Sequence, residues 1–450
     1  MSFLRRISGK SQKRVVVLGL DGVSRRQLLE LCADGHLPGI QKIIANSDLS
    51  EFSSAVSCML PVTWTSCFTG VNPAVHGLFG YMERRRNAYG VYFPNGSQVA
   101  STSIWEECAS VGKTIVSINV PYTYPARKIK GVMVSGLDSL DFSKAVYPSS
   151  VGEALEKTGY RIDVDFNGLS GDRAKTYAAL EYVLAKRCEA VRYLFKRVDW
   201  HLFTCVFSGA GHLNRCLYND YHDKRSAGHK RFIAYFKKLD ALVREIDDTL
   251  PADTELMLIS TQSTVPAKRT VHLNAWLVNQ GLLVLKNSCK FSFDNIYPEK
   301  TKVFALDGGR LYINRKGIMP GGCVSPGREY DKLRHFLIES LLTLVDDAIG
   351  TPFISAIYRK EDVYHGPYMD RAPDLILAGI SGYELNGEMS GGDVFRTAAR
   401  EGVPSGAGTF FCLKGLRSLV SKPGIYDVFP TLLEILGIPL TKKIDGVSIL

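Results

Sequence analysis

The sequence predicts an α/β fold: a large, doubly wound, mostly parallel central sheet flanked by helices, with a small cap or insertions. Short apolar runs of strand length recur along the chain and alternate with stretches of helical periodicity, a pattern typical of parallel sheets covered on both faces. Of the 450 residues, 45% are hydrophobic and 22% are charged, which is ordinary for a globular protein. This composition excludes a disordered chain, a coiled coil and a collagen-like repeat.

The first strand, turn and helix open this pattern. Residues 14–20 read RVVVLGL, a buried strand, and Asp21-Gly22 ends it before a helix over 24–34 that stops near Gly35. Further strands are predicted at 114–120, 132–135, 202–207 and 255–260, and further helices at 103–111, 147–158, 174–197, 230–250, 329–345 and 427–436. Ligands of open α/β sheets bind at the carboxyl ends of the strands. Asp21 therefore occupies a position where function is expected.

The pattern also predicts how the chain is divided. Residues 1–13 are interpreted as a basic tail, and residues 14–450 as a single α/β domain. Short strands and turns are denser near 82–100 and 283–345, and we expect these segments to form the cap or insertions.

Charge and cysteine usage restrict the partners and the compartment. The net charge is +10, but the basic clusters are short and belong to no nucleic-acid-binding module. A pocket for an anionic ligand is therefore a more modest explanation of the excess positive charge than nucleic-acid binding. The ten cysteines form no C-x-x-C pair and are expected to be reduced. No apolar stretch approaches the ~20 residues that span a bilayer. The N-terminal segment also lacks the features of a secretory signal, so we expect a cytoplasmic protein with no membrane or nucleic-acid partner.

Three ordered motifs are more specific. They read VLGLDG at 17–22, PVTWTSCFTGVNP at 61–73 with His76-Gly77 after it, and YDVFPTLL at 426–433. Together they resemble the type I phosphodiesterase/nucleotide pyrophosphatase branch of the alkaline phosphatase superfamily. The resemblance extends over residues 14–450, with NVP at 119–121, VHLN at 271–274 and YHGPY at 364–368 in the expected order.

The resemblance implies a two-metal site at the strand ends, where paired divalent ions clamp a phosphoryl group and activate the attacking oxygen. Each expected role was placed on this chain. Asp21 matches the first aspartate ligand, and the position of the threonine or serine nucleophile falls on Leu60. The D-x-x-x-H motif falls on Ser208 to His212, so the histidine is present and the aspartate is not.

The other metal-binding positions are also replaced. The D-H-G motif falls on Thr261-Gln262-Ser263, and no histidine follows His365 to supply the C-terminal ligand. The two remaining ligands, Asp21 and His212, would belong to different metals, whereas zinc normally takes three or four protein ligands. We therefore expect no bound metal, no cofactor and no metal-dependent phosphodiesterase activity.

Three functions stay open at this point. The first is a degenerate phosphodiesterase that binds a phosphorylated or nucleotide-like ligand, or a protein partner. The second is a repurposed, metal-independent enzyme in which Asp21 and His212 act as acid and base. The third is a metal-dependent phosphodiesterase with atypical ligands.

Two structural expectations follow from the first two functions. The candidate ligand-binding residues are Leu60, Thr63, Ser208, Thr261 and Gln262. Asp21 and His212 are expected to face one cavity, with Ser208, Thr261 and Gln262 on the same wall. Asp21 and His212 could instead have structural roles. Asp21 would then cap a helix, and His212 would be a core or loop histidine with its hydrogen bonds made inside the protein.

Overall fold

A computed structural model describes residues 13–85, 88, 90–137, 139–169, 171–287, 292–388, 392–415 and 423–450. The strands are β1 (Arg14–Gly19), β2 (Leu49–Glu51), β3 (Glu83–Arg84), β4 (Val91–Tyr92), β5 (Ile115–Val120), β6 (Gly131–Ser135), β7 (Val146–Tyr147), β8 (Leu202–Val206), β9 (Thr254–Ser260), β10 (Ser263–Pro266), β11 (Arg269–His272), β12 (Val303–Leu306), β13 (Arg310–Ile313), β14 (Val345–Asp346), β15 (Thr351–Pro352), β16 (Ile354–Arg359), β17 (Leu375–Gly379), β18 (Tyr383–Asn386), β19 (Phe395–Thr397), β20 (Gly402–Ser405) and β21 (Phe410–Leu413).

The helices are α1 (Arg25–Ala33), α2 (Pro38–Ala45), α3 (Leu60–Thr69), α4 (Pro73–His76), α5 (Ile104–Ser110), α6 (Phe142–Ala145), α7 (Ser149–Lys157), α8 (Arg173–Arg197), α9 (Gly209–His222), α10 (His229–Thr249), α11 (Leu273–Asn279), α12 (Arg328–Leu342), α13 (Lys360–Val363) and α14 (Val428–Leu436). No helix in the described part of the chain is both long enough and apolar enough to cross a membrane.

The central sheet has eight strands in the order β2-β21-β9-β1-β8-β5-β6-β7. The five strands from β9 to β6 pair in parallel, and the antiparallel pairs lie at the two edges. Side chains alternate across β1, so Val16 and Leu18 pack on one face and Val15 and Val17 on the other. Apolar residues of helices cover both faces of the sheet. One face is covered by α1, α2, α8, α9 and α10, and the other by α3, α5 and α14. The predicted α/β fold class is confirmed.

A second layer of short strands lies beyond the central sheet. Strands β12, β13, β17 and β16 form a four-stranded sheet, and β18, β11 and β19 form a three-stranded one. They enclose a separate apolar cluster that includes Leu273, Phe304, Leu337 and Phe353. The segment expected near 283–345 supplies β12, β13 and α12 to this layer, while the division into tail, domain and cap stays a prediction. Residues 1–12 of the basic tail lie outside the described residues.

Candidate functional site

The ends of three neighbouring strands bring the predicted site residues together. Asp21 follows β1, Ser208 follows β8, and Thr261 and Gln262 follow β9. Because β9, β1 and β8 are adjacent and parallel, their carboxyl ends meet at one edge of the sheet. The N-terminus of α3 reaches the same place, where Thr63 Oγ1 lies 3.0 Å from Thr261 Oγ1.

Asp21 is buried at this edge without a cationic partner among the contacts of its carboxylate. Its Oδ1 accepts a long hydrogen bond from Trp64 Nε1 at 3.4 Å, and its Oδ2 lies 3.5 Å from Gln262 Nε2. Burial raises the pKa of Asp21 to about 7, although the hydrogen bond from Trp64 and the charge of His212 lower it. Asp21 therefore exchanges its proton near neutral pH.

His212 has a carboxylate partner, but it is Asp163 and not Asp21. His212 Nε2 lies 3.0 Å from Asp163 Oδ2, and both side chains are largely buried. The Phe166 ring packs edge-on against the imidazole, with 4.9 Å between ring centroids. Burial opposes ionisation of Asp163, yet His212 and Arg187 hold the pKa of its carboxyl below the usual value. The carboxylate in direct contact with His212 is therefore that of Asp163 and not that of Asp21, the residue expected to act with it as acid and base.

The loop that carries Asp163 is fixed by two polar side chains of the main sheet and its helices. Asn119 Nδ2 donates to the Ile162 carbonyl at 2.6 Å, and Arg187 donates to the same carbonyl and to that of Val206. Sequence reasoning misses Asp163 because it lies 49 residues from His212 and outside every motif. Only its contact in the folded chain marks it as a site residue.

A large cavity of about 1290 Å³ opens between the strand ends and the second layer of strands. Gln262 belongs to its wall, together with Ser57, Tyr81, Arg215 and Asp307. None of the other predicted site residues belongs to the described part of this wall. These residues are Asp21, His212, Leu60, Thr63, Ser208 and Thr261. A cavity shared by Asp21 and His212 therefore stays a prediction. Gln262 both contacts Asp21 and lines the large cavity.

Tyr81 lies between the cavity and the start of α3. The backbone amide of Leu60 contacts its phenol oxygen, and the charges of Arg215, Asp21 and Asp307 are all near enough to influence it. Burial raises the pKa of Tyr81. The motif containing His76-Gly77 ends four residues earlier, and nothing in the sequence pattern singles out this tyrosine.

Four buried polar atoms of the cavity wall have no hydrogen-bond partner in the described structure. They are Gln262 Oε1, Ser57 Oγ, Arg215 Nε and Asp307 Oδ2. Gln262 and Ser57 are only 5% and 3% exposed, so bulk water does not account for them as it does for surface groups. Most buried polar groups in folded proteins are paired, so four residues with an unpaired atom on the wall of one cavity make that cavity the candidate binding site.

The fold and the site define an α/β protein with a ligand-sized cavity at the carboxyl ends of a doubly wound sheet. The type I phosphodiesterase / nucleotide pyrophosphatase family model matches residues 15–404, and the chain belongs to this family. A search of curated protein sequences finds no match.

Solved structures of the alkaline phosphatase superfamily share the fold. Alkaline phosphatase PafA superposes with a TM-score of 0.63 at 11% identity, covering 98% of this chain and 99% of its own. Phosphonoacetate hydrolase from Sinorhizobium meliloti has a TM-score of 0.59 at 13% identity, covering 95% and 96%. Murine ectonucleotide pyrophosphatase/phosphodiesterase 5 has a TM-score of 0.55 at 12% identity, covering 96% and 97%. At these identities the likeness establishes the fold alone.

The family implies a pair of metal ions, and the donors near the strand ends can be tested against that requirement. In the part of the chain that the structure describes, no three His, Cys, Asp or Glu side chains are grouped so that they could hold one metal ion. Asp21 contacts an indole and an amide, both of which donate hydrogen bonds and neither of which is a metal ligand here. These residues do not fit a two-metal centre.

Proposed function

We propose that this chain is a ligand-binding member of the family that has lost two-metal phosphodiester hydrolysis. The observation that supports this proposal is the cavity at the strand ends with its four unpartnered polar atoms. Leu60 stands at the start of α3, where the resemblance places the nucleophile, and it offers no nucleophilic atom. Ser208, Thr261 and Gln262 replace ionisable ligands by neutral side chains.

The proposed ligand is a small phosphorylated or nucleotide-like molecule. The cavity of about 1290 Å³ is somewhat larger than ligand pockets of roughly 300–1,000 Å³, so it has room for a ligand of this kind. Among the structural neighbours, the murine protein has been solved in complex with AMP and the Sinorhizobium meliloti hydrolase with phosphonoacetate. The protein partner, the absence of nucleic-acid and membrane partners and the cytoplasmic location expected from the sequence stay predictions.

Binding without hydrolysis is tested on the purified full-length chain. We expect isothermal titration to detect binding of AMP, elemental analysis to find less than about one zinc, manganese or iron per chain, and bis(p-nitrophenyl) phosphate to be left unhydrolysed. Two metals per chain together with turnover that disappears in Asp21→Ala would contradict the proposal. They would support the third possibility, a metal-dependent enzyme with atypical ligands.

One observation favours a second candidate, a metal-independent enzyme. Asp21 has a pKa of about 7, which suits proton transfer near neutral pH, and Asp163 fixes the orientation of the nearby His212 imidazole. In that case Asp21→Asn and His212→Ala would each abolish an activity found by substrate screening. Asp163→Asn would shift the pH profile of that activity. If AMP binds and all three variants bind it as the wild type does, the binding function is favoured.

A further inference from the structure

We infer that Arg215 binds the phosphate of the proposed ligand, with the charge of Arg400 beside it, and that the phosphate does not occupy the buried position of Asp21. The inference deepens the proposed function and rests on it, because it assumes that the large cavity holds a phosphorylated molecule. A two-metal site would instead hold the phosphoryl group at the strand ends.

The strand-end position offers almost no accessible surface to a phosphate. Asp21 is 2% exposed, and Thr63 and Thr261 are fully buried. None of these three side chains belongs to the described wall of the large cavity. A phosphate at this position would have to displace packed side chains and would lie beside a carboxyl group that ionises near neutral pH. The cationic groups that border the cavity are therefore the candidates for binding a phosphate.

Arg215 borders the cavity and has an accessible donor without a partner. Its side chain is 23% exposed, and Nη2 lies 3.4 Å from Glu384 Oε1, a long contact for an ion pair. Nη1 has no hydrogen-bond partner among the described residues, and unlike Nε it is not fully enclosed. A guanidinium group presents its N–H donors in a planar fork that matches phosphate oxygens. Nη1 is therefore a donor that a phosphate in the cavity can reach.

A second arginine adds positive charge beside Arg215. The Glu401 amide donates to the Arg215 carbonyl at 3.1 Å, which holds the exposed Arg400 next to α9. Burial of Arg215 and the charge of Arg400 lower the pKa of Arg215, and Glu384 offsets them only in part. The Glu401 carboxylate is bound to Arg173. Two guanidinium groups are thus offset by one carboxylate, and a bound anion would reduce their mutual repulsion.

The other charges on the described wall restrict the phosphate to this place. Four carboxylates line the cavity, and they would repel an anion that bound away from Arg215. They belong to Asp294, Asp307, Glu384 and Glu388. Arg85 also lines the cavity, but it is exposed, so water already stabilises its charge. On the described wall, Arg215 is therefore the cation that gains most from a bound phosphate.

The test compares AMP with adenosine by isothermal titration on the full-length protein, because the two molecules differ by the phosphate alone. We expect AMP to bind about ten-fold more tightly than adenosine, or better, as charge-assisted hydrogen bonds to a phosphate should give. Arg215→Gln should remove this preference by weakening AMP and leaving adenosine unchanged. Arg14→Gln is the matched control and should bind like the wild type. Arg14 is also 23% exposed, but it pairs with Asp199 outside the described cavity wall.

A second variant keeps the test decisive if Arg215→Gln fails to fold, because it should increase affinity. Glu384→Gln removes the carboxylate that competes for Arg215, and it should tighten AMP about three-fold and leave adenosine unchanged. Glu388→Gln removes a charge from the same wall at a residue that does not pair with Arg215, and it should change AMP binding less. Arg400→Gln should weaken AMP about two-fold at low salt and not at high salt, since exposed charges are screened.

The possible results separate the inference from the proposed function. If AMP binds but Arg215→Gln leaves its affinity unchanged, or weakens AMP and adenosine alike, the inference fails while the proposed function stands. The inference also fails if AMP binds no more tightly than adenosine, or if Glu384→Gln tightens AMP no more than Glu388→Gln. An unchanged AMP affinity of Arg400→Gln at low salt overturns the role given to Arg400. If neither AMP nor adenosine binds, both the inference and the proposed function fail.

Discussion

At the scale of single residues, His76 shows how burial fixes a protonation state. It is fully buried, its Nδ1 accepts a hydrogen bond from the Leu78 amide at 3.2 Å, and its Nε2 lies 3.0 Å from Ser66 Oγ. Since Nδ1 accepts, Nε2 carries the proton and donates it to Ser66. Burial lowers the pKa of His76 to about 3, so the ring stays neutral in the folded protein.

This histidine predicts an acid-sensitive stability. In the unfolded chain a histidine has a pKa of about 6.5, whereas the folded pKa of His76 is about 3. Between these values only the unfolded state takes up the proton, so the free energy of unfolding falls as the pH is lowered from about 6.5 to 3. His76→Gln should make this fall shallower, as measured by thermal unfolding at a series of pH values.

The exposed His335 provides the control for this experiment. It pairs with Glu339 on the surface of α12, where both side chains are about two-thirds exposed. His335→Gln should therefore keep the wild-type dependence on pH. An identical slope for the wild type and His76→Gln would show that His76 does not titrate as its burial implies.

At the scale of elements, the contact between the turn after β1 and the start of α9 positions the site. Gly22 has a φ of +75°, and its amide donates to the Gln262 carbonyl at 3.1 Å. A Cβ at Gly22 would lie 2.2 Å from the Cα of Gly211 in α9. Glycine is thus required at position 22 for two reasons: the φ angle is positive, and the two backbones approach each other closely.

Gly22→Ala should therefore destabilise the protein strongly. Gly35→Ala is the matched control, because Gly35 has a similar φ of +72° and no atom within 4 Å of an added Cβ. The control should lose only about 1–2 kcal/mol from the positive φ, and Gly22→Ala should lose clearly more because it also meets Gly211. Urea unfolding of both variants measures the difference. Equal losses would mean that the turn and α9 are not packed this closely.

The two site helices that the sequence analysis did not assign lack the usual signals. All ten residues of α3 are buried, so its sequence has no polar face and no helical period. α9 begins with Gly-Ala-Gly, and glycine disfavours helices. Tertiary packing forms both helices where local preference does not, which is why the sequence at 61–73 predicts a motif and not a helix.

At the scale of the whole molecule, Arg310 connects the second layer of strands to the segment after α4. It is fully buried on β13, and its guanidinium donates to the Met82 carbonyl at 2.8 Å and to Tyr312 at 3.2 Å. Asp307 binds the same guanidinium, and Glu83 lies 3.9 Å away. This network fixes the floor of the cavity next to Tyr81.

Removal of this cation should leave the buried Glu83 carboxylate and the partly buried Asp307 carboxylate uncompensated. We expect Arg310→Met to lower the free energy of unfolding by about 3–5 kcal/mol, the usual effect of breaking a buried ion pair. Arg192→Met removes a cation from the exposed pair with Glu245 and should change stability by about 1 kcal/mol or less. Chemical denaturation of both variants tests this. Similar losses would show that the buried network contributes no more than a surface pair.

The sequence by itself determined the fold class and the position of the site along the strands. Hydrophobic periodicity is local, so the strands after which Asp21, Ser208 and Thr261 stand could be predicted, and the order of the motifs indicated the family. Parallel pairing of β9, β1 and β8 then placed these residues at one edge. The strands themselves required no knowledge of long-range contacts, whereas the pairing of β1 with β8 and β9 is a long-range contact that the structure supplies.

Only the tertiary structure decided which groups line the cavity. The partner of His212 proved to be Asp163, and the cavity wall took Tyr81, Arg215 and Asp307 from segments far apart in the chain. Of the predicted site residues, Gln262 is the one that lines this cavity among the described residues. Side-chain direction and the packing of the second layer of strands depend on contacts across hundreds of residues, and these leave no periodic pattern in the sequence.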